Sequence, residues 1–223
     1  MTKEISHAEL EQALSLERFG RYLAWAGGDR TRAVELYTLN SLISESLYIP
    51  LQMLEVTLRN RIHAVMTEAR HEAWFKDDGF LLGDRQPEQL AKAIEDIKRD
   101  GREATPGRIV AEVTFSFWTA MLGNQYDQLW QTTLNRVGKK PNGKGLRRKD
   151  LSAPLTPIRI LRNRIAHHEP IISWDLAKHH AKIIEIIEVA SPAAAAWCKA
   201  HDRFEKVYPP ERIALAAVEA ATE

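Results

Sequence analysis

Cysteine is almost missing from this chain: of 223 residues, only Cys198 carries a thiol. An intrachain disulfide and a multi-cysteine zinc site are thereby excluded, and a reducing compartment is the natural setting. Cys198 lies in the small apolar run 193–198, where it reads as a packed hydrophobe. An excess of charge of one sign is missing too. The chain has 31 Lys and Arg against 30 Asp and Glu, a formal net charge of +1, so any nucleic-acid binding must come from a local patch. No stretch approaches the roughly 18 uninterrupted apolar residues of a membrane span. The start, Met1 to His7, has no apolar signal-peptide core. The expectation is a cytoplasmic protein without a membrane partner. Alternating strand patterns, fixed-period repeats, phosphate-cradling glycine motifs and serine-nucleophile motifs are all absent.

What is present is helical periodicity in an ordinary globular composition, 44% hydrophobic and 27% charged. Ser6 and Glu9 have capping-box spacing, and Leu10, Leu14, Leu16, Phe19, Tyr22 and Leu23 follow. Gly27-Gly28 stops that helix and Asp29 caps the next. An apolar pattern runs from Ala33 to about Ala69, with a kink or short break expected at Pro50. The segment from Trp74 to Gln86 reads as an aromatic-bearing loop, and Pro87 opens a helix ending at Gly101. Further helices are predicted at 108–122, 126–137, 175–190 and 192–207, with one starting at Thr156-Pro157 and ending by Pro170. The fold class is all-α, a helical bundle forming one domain over 1–223.

One linker stands apart. Between Gly138 and Lys149 lie Lys139, Lys140, Lys144, Arg147, Arg148 and Lys149, with three glycines, one proline and no acid. It reads as a flexible basic loop at about 138–150, and because it leads into the next helix its six cations are candidate RNA phosphate contacts.

The chemistry concentrates in Leu161-Arg162-Asn163-Arg164-Ile165-Ala166-His167-His168-Glu169-Pro170. Ile158, Leu161 and Ile165 commit one face to the core. Asn163 and His167 are four apart and neighbours on another face, as are Arg164 and His168. Arg162 lies roughly 140° round the helix from His167, so it joins the site through its long side chain, through distortion of the last turn, or through a second copy of the helix. The histidines fall at the helix end, where the dipole favours the imidazolium while the arginines oppose it. A histidine so balanced suits proton exchange near neutral pH. Metal-free RNA cleavage needs a group to take the 2′-hydroxyl proton, one to protonate the leaving 5′-oxygen, and donors at the phosphorane. A His-Asn-Arg cluster supplies these without a cofactor or metal.

Arg162-Asn163-x3-His167 resembles the Arg-polar-x3-His signature of the HEPN ribonuclease superfamily. Together with the segments Pro50 to Asn60 and Val113 to Trp118, the motif resembles the bacterial Abi-like (abortive infection) family over most of the chain. The resemblance implies a HEPN-like bundle with additional helices, a homodimer pairing two motifs in one composite site, and a role in phage defence or as a toxin. It implies Arg162 as phosphate and transition-state ligand, Asn163 as polar positioner and His167 as acid–base group. Arg164, His168 and Glu169 would support them. Some relatives associate with an antitoxin or a regulatory RNA.

A partial echo, Leu58-Arg59-Asn60-Arg61-Ile62-His63, has only three residues between Arg59 and His63 and reads as structural. Glu55 or Arg59 is expected in a buried ion pair supporting the site. His179-His180 lacks acids at metal-ligand spacing and reads as exposed helix surface. The rival to a nuclease is a non-catalytic helical module in which Arg162 and His167 hold RNA or a protein partner.

Overall fold

The computed structural model describes residues 7–14, 16–140 and 142–216. Every regular element among them is a helix, so the fold is all-α. No helix is long and apolar enough to cross a membrane, among the described residues. The proposed Ser6 cap lies outside those residues. The chain divides into two compact units.

The first unit comprises Met1–Tyr48, Leu161–His180 and Asp202–Glu223. It contains α1 (His7–Leu14), α2 (Leu16–Trp25), α3 (Arg30–Ser46) and α12 (Phe204–Val207). Gly27 and Gly28 take the left-handed conformation, φ 62° and 88°, which terminates α2 as the glycine pair predicts. Asp29 caps α3 by accepting the Arg32 N–H at 3.1 Å. Packed on α3 are α2 and α12, and Phe19, Tyr22, Leu36, Ile43, Leu161, Leu176 and Phe204 are buried.

The second unit comprises Ile49–Ile160 and Ala181–His201. Its helices include α4 (Tyr48–Ala69), α5 (Gln86–Arg99), α6 (Pro106–Glu112), α7 (Phe115–Ala120), α8 (Asp127–Thr132) and α11 (Pro192–His201). The pattern does break near Pro50, though not at it. The break falls earlier, at Leu47, which places Pro50 in the first turn of α4, where an N–H has no intrahelical acceptor to lose. The predicted 108–122 helix is split, because Val113 and Thr114 are extended (ψ 143° and 161°). Trp74, wholly buried, meets Phe75, Phe80 and Trp118 edge-on with centroids 5.4, 5.4 and 6.2 Å away.

Two helices run through both parts of the sequence, α9 (Arg148–Ala166) and α10 (Leu176–Ala190). The start of α9 is eight residues earlier than Thr156-Pro157 suggests, so Pro154 and Pro157 lie inside it. Each proline leaves a carbonyl without its helical N–H. The helix continues through them, with the Thr156 hydroxyl donating to Ser152 O at 3.2 Å.

Candidate functional site

The motif occupies the last turn of α9 and the turn beyond it, all within the first unit. The helix ends at Ala166, so His167 is its C-cap and His168 lies outside it. The Glu169 N–H donates to Arg164 O at 2.8 Å and the His168 N–H to Ile165 O at 3.0 Å. This is the paired-bond Schellman closure, which demands a left-handed residue between cap and exit. That residue is His168, at φ 57°, the sole non-glycine with positive φ among the described residues. Holding a histidine there costs about 1–2 kcal/mol relative to right-handed backbone.

Arg164 locks the turn. Its Nε and Nη2 donate to Pro170 O at 3.1 and 2.9 Å, Nη1 lies 3.3 Å from Glu169 Oε2, and its plane sits over Trp174, 5.7 Å from the ring centroid. The chain then turns inward, and Asn40 of α3, buried, receives it. Asn40 Oδ1 accepts the N–H groups of both Ile171 and Ile172, at 2.7 and 3.3 Å. Nothing local in sequence announces Asn40, since its partners lie more than 130 residues away.

The helix end therefore presents a divided set of side chains. Asn163, His167, His168 and Glu169 are exposed, and Arg162 and Ile165 are half-buried. Among the described residues the side chains of Asn163, His167 and His168 make no hydrogen bond. Ile165 is less committed to the core than its spacing with Ile158 and Leu161 predicts, those two being fully enclosed. The geometry leaves an amide and two imidazoles open to a ligand on a rigid, backbone-closed support.

The basic segment is neither uniformly flexible nor uniformly available. Gly138 is buried against α10, where a Cβ would come within 2.3 Å of Val189 O, so only glycine fits. The Lys140 N–H donates to Lys144 O at 3.3 Å, and Gly143 turns the chain at φ 75°. Asp150 then gathers Arg147 (2.8 Å) and Lys140 (2.7 Å). Their hydrogen bonds, Arg147 first, hold the Asp150 carboxyl well below the usual carboxylate range.

Arg148 departs furthest from expectation. It is buried and donates to Leu122 O (2.7 Å) and Asn124 Oδ1, and it pairs with Asp127. A guanidinium enclosed in this way serves the packing of α9, not an RNA phosphate. Lys139, Lys144 and Lys149 remain as exposed cations.

Glu55 and Arg59 belong to α4 and to the second unit. Arg59, one of the two residues offered for a buried ion pair, donates to Asn60 Oδ1 (3.3 Å) and Ala111 O (3.4 Å). His63 of the echo accepts the Trp74 indole N–H on Nδ1 at 3.2 Å, and burial lowers its pKa below the ordinary histidine value, with Glu72 opposing. His180 is not exposed as predicted. It is buried, paired through Nε2 with Asp202 Oδ2 and stacked on Phe204 with centroids 4.3 Å apart. Among the described residues no cluster of three or more His, Cys, Asp or Glu side chains could hold a metal ion.

No family model, curated protein or solved structure matches this chain.

Proposed function

We propose that this protein is a metal-independent endoribonuclease of the HEPN type, acting in abortive-infection phage defence or as a toxin. The observation that carries the reading is the end of α9. Asn163 and His167 lie exposed and without side-chain partners among the described residues, beside a turn that holds His168 in a left-handed conformation. Strained, non-glycine backbone at a polar surface site is a recurrent mark of functional geometry.

In the proposed reaction the 2′-oxygen attacks the adjacent phosphorus and the bond from phosphorus to the 5′-oxygen breaks. One imidazole takes the 2′-hydroxyl proton and a second proton reaches the departing 5′-oxygen, giving a 2′,3′-cyclic phosphate and a 5′-hydroxyl. Arg162 stabilises charge on the phosphorane and Asn163 orients it. A homodimer supplies the second proton-transfer group from the other copy's motif. Restraint by an antitoxin or a regulatory RNA belongs to the same reading.

The test is incubation of wild type and His167→Ala with total RNA in EDTA, with end-group analysis of fragments and circular dichroism of both proteins. Cleavage by wild type alone, leaving cyclic phosphate ends, is the expected result. Equal cleavage by a folded His167→Ala protein would remove His167 from the chemistry. RNA binding without cleavage by either would replace the nuclease with a binding module.

A further inference from the structure

Two arginines with contrasting surroundings stand at the end of the motif helix in the first unit. Arg164 is fully engaged, with its donors taken by Pro170 O and Glu169 and its plane on Trp174. Arg18, delivered by α2 from 149 residues earlier in the chain, is exposed, and its Nη2 donates to the His167 carbonyl across 3.5 Å. That distance is at the long limit of a hydrogen bond. Among the described residues it is the only hydrogen bond of the Arg18 guanidinium, and no carboxylate pairs with it. A guanidinium carries five N–H donors in one plane, so most of this fork is turned to solvent.

The Tyr22 phenol, one turn along α2, is surrounded by the same cations. Burial first, and Tyr37 next, hold its proton well above the ordinary tyrosine range, while Arg18, Arg164 and Arg21 act against that shift. Arg18 and Arg164 therefore both contribute positive potential where α2 meets the motif turn. The two differ in availability: one is locked into the turn and the other is open.

We propose that Arg18 is a phosphate-contacting residue of the site, placing its free N–H donors on the non-bridging oxygens of an RNA phosphodiester held beside His167. The inference rests on the RNA-directed reading above. The Arg18 guanidinium lies 3.5 Å from the His167 carbonyl, so it stands beside the residue whose imidazole the reading above places on the phosphodiester. The planar fork matches two phosphate oxygens at once, which an ammonium group does not. An arginine from the N-terminal helices thus supplies the second cation that Arg164, consumed by the turn, does not.

The experiment uses the full-length His167→Ala protein, in which any cleavage dependent on His167 is removed, and adds Arg18→Ala or Arg18→Lys. Binding of a short fluorescein-labelled single-stranded RNA is followed by anisotropy across a potassium chloride series, and melting temperatures are recorded. Each phosphate contact on a single strand contributes about 0.7 to the slope of log affinity against log salt. Arg18→Ala is expected to weaken binding about tenfold and to flatten that slope by about 0.7, at unchanged melting temperature. Arg18→Lys should restore the slope but only part of the affinity.

An unchanged slope in Arg18→Ala overturns the proposal, as does loss of affinity accompanied by a lowered melting temperature in both variants. Absence of RNA binding by the parent overturns it together with the RNA-directed reading. The two readings also separate in wild type. No cleavage by wild type, with an Arg18-dependent slope, removes the nuclease and keeps Arg18. Cleavage by wild type and by Arg18→Ala with equal kcat/KM and equal slope keeps the nuclease and removes Arg18.

Discussion

Arg164 and Glu169 are joined twice, once through backbone and once through side chains. The Glu169 N–H donates to the Arg164 carbonyl at 2.8 Å, while Arg164 Nη1 lies 3.3 Å from Glu169 Oε2. The second link is half-exposed and weak on its own, as surface ion pairs are. Combined with the fork on Pro170 O, it clasps the turn from outside while the Schellman bonds close it from inside. Between the two ends of that clasp sits His168.

Relief of strain at His168 gives the first prediction. Glycine accepts φ 57° without a Cβ penalty, so His168→Gly should raise stability by about 1 kcal/mol in urea unfolding. If His168 takes part in RNA cleavage, the same variant is more stable and less active. A lowered midpoint would show that the imidazole contributes more to folding than its backbone strain removes.

Asn40 yields the second. Its buried carbonyl oxygen satisfies two N–H groups, those of Ile171 and Ile172, immediately after the motif turn. Asn40→Leu keeps the branching of the side chain, adds bulk, and strands both donors, at about 1–3 kcal/mol each. The expected result is a loss of several degrees in Tm, whereas Asn40→Asp, which keeps the acceptor, should lose less. Equal losses in the two variants would mean that the acceptor is not what matters.

A third prediction concerns acid. Burial lowers the folded pKa of His63 below its ordinary value of 6.5 and Trp74 donates to its Nδ1, so the folded state prefers the neutral ring. The unfolded chain then binds the proton more readily. The stabilising contribution of neutral His63 is complete above the unfolded pKa and declines as pH falls through 6.5 toward the lower folded value. Urea midpoints at pH 8 and pH 5 should diverge more for wild type than for His63→Gln. Parallel pH dependence in the two proteins would remove His63 as the cause.

Local chemistry was legible in the sequence wherever the physics is local. The Gly27-Gly28 stop, the Asp29 cap and the left-handed Gly101 after α5 each depend on residues within one turn, and each stands where it was expected. The place of Asn163 and His167 at the end of a helix was legible for the same reason, since Pro170 marks that end within one turn. Long-range satisfaction was not. Arg148 reads as one more cation in a basic run, yet its partners at Leu122, Asn124 and Asp127 take it inside.

Proline misled in both directions. Pro157 looks like a helix start but lies within α9, and Pro50 reads as a kink or break, whereas the break falls at Leu47 and Pro50 lies in the first turn of α4. Arg18 went unnoticed because nothing in its own neighbourhood indicates that α2 ends up beside the motif turn.

The backbone bond between Lys140 and Lys144 has a practical consequence. Just beyond that bond Gly145 is exposed, lacks a positive φ, and has no atom within 4 Å of where a Cβ would stand. The chain's single native thiol, Cys198, is fully buried. Gly145→Cys therefore creates one accessible attachment point for a maleimide dye in an otherwise unreactive background. The proposed homodimer can then be tested by energy transfer between singly labelled copies, with no native cysteine to remove first.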